Sequence, residues 1–133
     1  MIVTPIRTRL LIPPKDDLMG AIRASLKSLP ERSVLVVASK VVSIWQGRCV
    51  PIEKYPHKDD LIKQEADRYL PGEYVRRNRL MHTIKNNLFI PSAGIDESNA
   101  AGHYILWPRN PKRAAAQIHH WAKKTYGVKE LGV

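Results

Sequence analysis

Near the start of the chain Ile6, Thr8, Leu10 and Ile12 alternate with Arg7, Arg9 and Leu11. That is the two-residue period of a half-buried strand. Pro13-Pro14 closes it, because neither ring nitrogen can donate to a ladder. The period then lengthens. Leu18, Ala21, Ile22, Ser25, Leu26 and Leu29 fall on one face of a helix. Asp16-Asp17 opens that helix, since carboxylates suit the positive end of the helix dipole, and Pro30 follows its end. Val34 to Ala38 is an unbroken apolar run that reads as a strand buried on both faces, with Ser39-Lys40 at its exit.

Beyond this point Val41 to Gln46 predicts a short helix closed by Gly47, and Arg48 to Glu53 a strand. Asp59 to Leu70 reads as a second main helix, stopped by Pro71-Gly72. Met81 to Ile84 and Leu88 to Pro91 flank Lys85-Asn86-Asn87, and asparagine tolerates the positive φ of a hairpin turn. A strand is expected at Tyr104 to Leu106. Asn110-Pro111 is a cap followed by a first-turn proline. Ala114, Ile118, Trp121, Ala122 and Thr125 then give a helical face that Gly127 ends. Val128 to Val133 reads as the approach to another strand, so the chain is expected to be a trimmed piece of a longer protein. The elements add up to an α+β (mixed α/β) class. A mixed sheet packed by about three main helices is expected, with residues 1–133 as a single domain.

Composition narrows the partners. Of 133 residues 44% are apolar, enough for a core and too many for a disordered chain. No apolar run is long enough for a membrane span, and the amino end lacks the pattern of a secretory signal. Cys49 is the only cysteine, which excludes a disulfide framework and a thiolate metal cluster. A soluble, reduced, cytoplasmic protein is the expectation. The 22 Lys and Arg against 12 Asp and Glu give a net charge of +10. Short basic clusters recur at Arg7 and Arg9, at Arg76, Arg77 and Arg79, at Arg109, Lys112 and Arg113, and at Lys123-Lys124. Such an excess favours anionic partners.

The chemistry-bearing candidates are few. Ser92-Ala93-Gly94-Ile95-Asp96-Glu97-Ser98-Asn99 follows the apolar run Leu88-Phe89-Ile90. A tight polar loop after a strand can aim oxygen ligands at a metal or a phosphate, or simply form a turn closed on its own backbone. Asp96 suits a magnesium or manganese ion, Asn99 a base, ribose or phosphate, and Glu97 less so because adjacent side chains diverge. Ser39-Lys40 offers a hydroxyl and an ammonium to phosphate oxygens. No glycine-rich phosphate loop accompanies them. His57, His82, His103, His119 and His120 lack zinc-ligand spacing. Trp45, Trp107 and Trp121 read as core or interface residues. No Ser-His-Asp order can be argued, and the catalytic residues are unknown.

Three segments, in order and together covering most of the chain, resemble one family. Ser39-Lys40-Val41-Val42-Ser43 with Gly47-Arg48 is similar to its Ser-Lys-hydrophobic-hydrophobic-Ser…Gly-Arg segment. Ala93-Gly94-Ile95-Asp96-Glu97-Ser98-Asn99 resembles its Ala-Gly-Ile-Asp-x-Ser-Asn loop, the most specific of the three. Leu106-Trp107-Pro108-Arg109-Asn110-Pro111 looks like its Leu-Pro-x-x-Pro segment. The family is coenzyme F420-0:L-glutamate ligase, the γ-glutamyl ligases of the deazaflavin cofactor.

The resemblance implies a GTP-dependent amide ligase. It would add L-glutamate to a cofactor carboxylate through an acyl phosphate, with a divalent cation, Mg2+ or Mn2+, stabilising the phosphoryl charge. Leu11, Ile12, Pro13, Pro14, Ser39, Lys40 and Asn99 match the family's GTP contacts, and Asp96 matches a metal ligand. Ile44 stands where the family usually carries a lysine. In the family an Asp-Thr or Asp-Ser pair and a further nucleotide segment lie beyond the position of Val133, so this chain resembles the N-terminal part and is expected not to catalyse alone. The acceptor is coenzyme F420-0 or a related γ-glutamylated cofactor, with folate as the alternative. The apolar C-terminus is expected to seek a partner, either the remainder of the family's catalytic region or a second copy of the chain. A basic nucleic-acid-binding or non-catalytic interaction domain is the competing class. Aromatics at 7% are scarce for a single-strand binder, and no recognition motif stands out, so nucleic acid is not the expected partner.

Overall fold

The computed structural model describes residues 2–70 and 80–133. In chain order the elements are α1 (Leu18–Ser25), β1 (Ser33–Val34), α2 (Ser39–Trp45), β2 (Cys49–Pro51), α3 (Lys58–Glu65), β3 (Arg68–Tyr69), β4 (His82–Lys85), β5 (Leu88–Pro91), β6 (His103–Ile105), α4 (Pro111–Tyr126) and β7 (Leu131–Gly132). Single 3-10 turns lie at Ile52–Lys54 and Ser92–Gly94. The class is α+β. Among the described residues the strands form three small sheets, and the helices number four. The chain divides into two compact units, one running to Arg48 and resuming at Pro108–Val133, the other Cys49–Trp107.

The first unit is built from local signals and one long-range pairing. Asp17 caps α1, its carboxylate accepting from Gly20 N–H at 3.0 Å. Leu18, Ala21 and Ile22 are buried. Asn110 caps α4 through Arg113 N–H at 3.1 Å, Pro111 starts the first turn, and Gly127 ends the helix at φ +69. Leu18, Ile22, Leu35, Val42, Ala114 and Ile118 form the core, with Trp45 and Trp121 packed against it. β1 pairs in parallel with β7, Ser33 opposite Leu131. The strand anticipated within Val128 to Val133 is therefore real, at Leu131–Gly132. Glu31 fastens this pairing by accepting the N–H groups of Lys129 and Glu130, which hold its carboxyl below the usual carboxylate range.

Three sequence expectations are corrected here. Residues 2–12 form no strand, and Leu10 and Ile12 are exposed. A two-residue alternation becomes a strand only when another strand takes up its backbone groups, and none does so among the described residues. The run from Val34 is buried on one face only: Leu35 is buried while Val34 is 69% and Val36 86% exposed. A two-residue strand with one neighbour has a single face to cover. Ser39-Lys40 forms the first turn of α2 rather than a strand exit, because the helix starts two positions before the expected one.

In the second unit β2 pairs antiparallel with β6, and β3, β4 and β5 form an antiparallel sheet. Asn86 and Asn87 take φ +51 and +61 and close the β4–β5 hairpin as a two-residue turn. The second main helix is shorter than its pattern. α3 stops at Glu65, and residues 68–69 become β3 because β4 claims their backbone: Asp67 N–H reaches Ile84 O at 2.8 Å and Leu70 N–H reaches His82 O at 2.9 Å. The expected stop at Pro71-Gly72 and the cluster of Arg76, Arg77 and Arg79 lie outside the described residues. Leu61, Ile62, Met81, Ala93, Ile95, Tyr104 and Leu106 make this unit's core.

Candidate functional site

The polar loop after β5 begins with three successive residues of positive φ: Ser92 at +54, Ala93 at +52 and Gly94 at +71. For the two that carry a Cβ this is an uphill conformation, of order 1–2 kcal/mol each. Neighbours hold it. Ser92 N–H donates to Met81 O at 2.7 Å, Ala93 N–H to the buried Thr83 hydroxyl at 2.7 Å, and Ile95 N–H closes back on Ser92 O at 2.9 Å. Gly94 is required twice over: a Cβ there would sit 2.6 Å from Trp107 Cε3.

The turn delivers Asp96 onto β6. Its N–H donates to Ile105 O at 2.9 Å and its carbonyl accepts Ile105 N–H at 2.7 Å. Its carboxylate Oδ1 accepts from both the N–H and the hydroxyl of Ser98, at 2.9 and 2.8 Å. That is the Asx turn the residue types allow, and it fixes the carboxylate on a rigid backbone. Asp96 is half-buried, whereas Glu97 and Asn99 are exposed, Asn99 at φ +51. Glu97 pairs with Lys58 at 3.1 Å.

In the other unit Leu11 to Pro14 forms a turn before α1, with a cis peptide between Pro13 and Pro14. Asp16 organises it. Its carboxylate accepts from Arg9 at 2.6 and 2.7 Å, Ile12 N–H at 2.8 Å and Asp17 N–H at 2.6 Å. The Arg9 guanidinium, followed by the two backbone donors, holds the Asp16 carboxyl well below the usual range. Ser39 is exposed and Lys40 half-buried in the first turn of α2. Ile44, where the resemblance expects a lysine, is buried at 4% exposure and belongs to the interior. Leu11 to Pro14, Ser39 and Lys40 thus share one unit, and Asp96 and Asn99 the other.

At the far end of α2 a cavity of about 380 Å³ opens among Gln46, Arg48, Arg109, Asn110, Arg113 and Gln117. The sequence marked Arg109 and Arg113 as members of a basic cluster, with no binding role assigned to either. What places Gln46 beside them is a reciprocal amide bond. Its Nε2 donates to Arg109 O at 3.0 Å and its Oε1 accepts Arg109 N–H at 2.7 Å. No local pattern announces that pairing, which joins residues 63 positions apart.

A family model described as F420-0:Gamma-glutamyl ligase matches residues 5–133. The chain belongs to this family. The Asp96 loop, Ser39-Lys40 and Leu11 to Pro14 all lie inside the matched region. The chain is also 26% identical over 148 aligned positions to the coenzyme F420:L-glutamate ligase of Methanopyrus kandleri. That alignment covers 98% of this chain and 57% of the relative, so the chain spans little more than half of the relative's length.

The family resemblance implies a divalent cation, and the donor set tests the fit. Among the described residues no three His, Cys, Asp or Glu side chains gather for a metal. Asp96 offers one fixed carboxylate. Magnesium keeps several waters and takes one or two carboxylates plus substrate phosphates. The residues present therefore fit a cation held mainly by water and phosphate, not an all-protein cage. No helix among the described residues is long and apolar enough to cross a membrane.

Proposed function

We propose that this chain carries part of the active site of a GTP-dependent ligase that adds L-glutamate to the carboxylate of coenzyme F420-0 or a related γ-glutamylated cofactor. The observation that carries the reading is the family match across residues 5–133, which contains every motif residue named above. In the proposed reaction the γ-phosphoryl group of GTP passes to a carboxylate oxygen of the acceptor and GDP leaves. The glutamate amine then attacks the acyl carbon. The C–N bond forms, inorganic phosphate departs and the amine gives up a proton.

Such chemistry is largely positioning and charge stabilisation. The Lys40 ammonium, the Ser39 hydroxyl and the turn Leu11 to Pro14 are assigned to the nucleotide. Asn99 is assigned to it through its amide. Asp96 is assigned to a Mg2+ or Mn2+ ion, which when bound neutralises phosphate charge. The Ser98 N–H and hydroxyl hold the Asp96 carboxylate oriented for that task. With Ile44 in the interior, Lys40 carries the ammonium contact without the second lysine usual in the family.

The test incubates the chain with GTP, Mg2+ or Mn2+, L-glutamate and coenzyme F420-0, alone and together with the part of the relative that it does not span. Phosphate release is read beside the mass gain of one glutamyl group. Glutamyl transfer by the combined halves, with little by residues 1–133 alone, is the expected result. Replacing F420-0 by a folate separates the two acceptors. Phosphate release and glutamyl transfer in neither arm would overturn the assignment.

A further inference from the structure

The cavity at the end of α2 is not explained by the motif residues. Its described walls carry three arginines, two glutamines and an asparagine, and no acid. The first turn of α4 holds no acidic residue either. Placing the Arg109 and Arg113 guanidinium groups on the walls of one cavity is unfavourable unless an anion lies between them. Arg109 and Arg113 are exposed, and neither guanidinium has an ion-pair partner among the described residues. Their backbones are nonetheless fixed. Arg109 is clamped to the Gln46 amide in both directions, and Arg113 N–H is held by the Asn110 cap. Two charged side chains thus rise from immobilised backbone beside the positive end of a 16-residue helix.

Arginine rather than lysine suits a planar or tetrahedral oxyanion, which its forked donors grip in pairs. A volume of about 380 Å³ exceeds one bare oxyanion and lies at the small end of ligand pockets. The site stands apart from Ser39-Lys40: α2 has seven residues, so its two ends are about 10 Å apart.

We propose that this cavity is a second anion site, taking the phosphate or carboxylate group of a small molecule between Arg109 and Arg113, with Arg48 and Gln117 alongside. The inference does not depend on the ligase reading. It is tested on the 15N-labelled chain by NMR titration with inorganic phosphate and, separately, with L-glutamate. The two arms distinguish a phosphate from a carboxylate ligand. With at least one probe, saturable shifts are expected that centre on Gln46 to Arg48 and Arg109 to Gln117. Arg109→Gln combined with Arg113→Gln weakens that binding about tenfold or more, while Lys112→Gln, a loss of one charge outside the cavity, and Lys40→Ala, at the other end of α2, leave it intact. Arg113→Lys keeps the charge but loses the fork, and falls between. Should the double variant fail to fold, that single exchange decides. Unsaturable shifts with both probes would overturn the proposal. So would parental affinity in the double variant or, failing it, in Arg113→Lys, or a loss of the same size in Lys112→Gln or Lys40→Ala.

Discussion

The buried hydroxyl of Thr83 accepts the N–H of Ala93 at 2.7 Å and donates its own proton to the Ile90 carbonyl. One side chain on β4 therefore ties the end of β5 to the left-handed turn that leads to Asp96. Thr83 is 1% exposed, so no water can take over either role.

Thr83→Val keeps the shape and removes both bonds. Stranding the Ala93 N–H in the interior should cost about 1–3 kcal/mol. Chemical denaturation measures this, and Thr83→Ser should recover most of it. Equal stability of the valine and serine variants would show that the hydroxyl does not hold the turn.

Gly94→Ala adds a Cβ at φ +71 and 2.6 Å from the Trp107 ring. The backbone term alone is about 1 kcal/mol, and displacement of the indole adds to it. We expect a loss of about 2 kcal/mol or more, with a change in Trp107 fluorescence. Thermal melts and emission spectra matching the parent would refute the close packing.

The Asp16 carboxyl is depressed first by Arg9, then by Ile12 and Asp17 N–H. A depressed folded value means that the contribution is fully present above the unfolded carboxylate pKa of about 3.9. It is lost as pH falls from there toward the folded value. NMR titration should find Asp16 still ionised when ordinary aspartates have protonated. Arg9→Ala should raise its midpoint only in part, because both backbone donors remain. The stability gap between parent and Arg9→Ala should close on acidification; a gap that widens would contradict the linkage.

Asp96→Asn retains an oxygen acceptor for the Ser98 bonds but removes the negative charge offered to a cation. Apparent Mg2+ or Mn2+ affinity in the glutamyl-transfer assay should fall about 10–100-fold or more, with an unchanged melting temperature. Normal metal dependence in the variant would remove Asp96 from the metal site.

Elements whose signals lie within a few residues were legible in the chain. Asp17 and Asn110 cap helices where their positions predicted, Gly127 ends α4, and Asn86-Asn87 turn the hairpin. Each depends on a side chain bonding its own neighbourhood or on a single φ preference, so a window of a few residues contains the whole cause. The Ser-Lys and Asp-x-Ser-Asn motifs were legible for the same reason, and the Asx turn at Asp96 is made by a residue two positions away.

Partner choice was not legible. The alternation before Pro13 forms no strand, residues 68–69 leave the helical pattern to pair with β4, and Val36 faces outward although its run is apolar throughout. The left-handed turn at Ser92–Gly94 needs Thr83, and the arginine-lined cavity needs Gln46 to meet Arg109. By itself the sequence determined the family, the α+β class, the helix caps and the candidate ligands. Tertiary structure alone decided which strands pair, which apolar faces are covered and which charges gather, because those energies belong to groups far apart in the chain that meet only on folding.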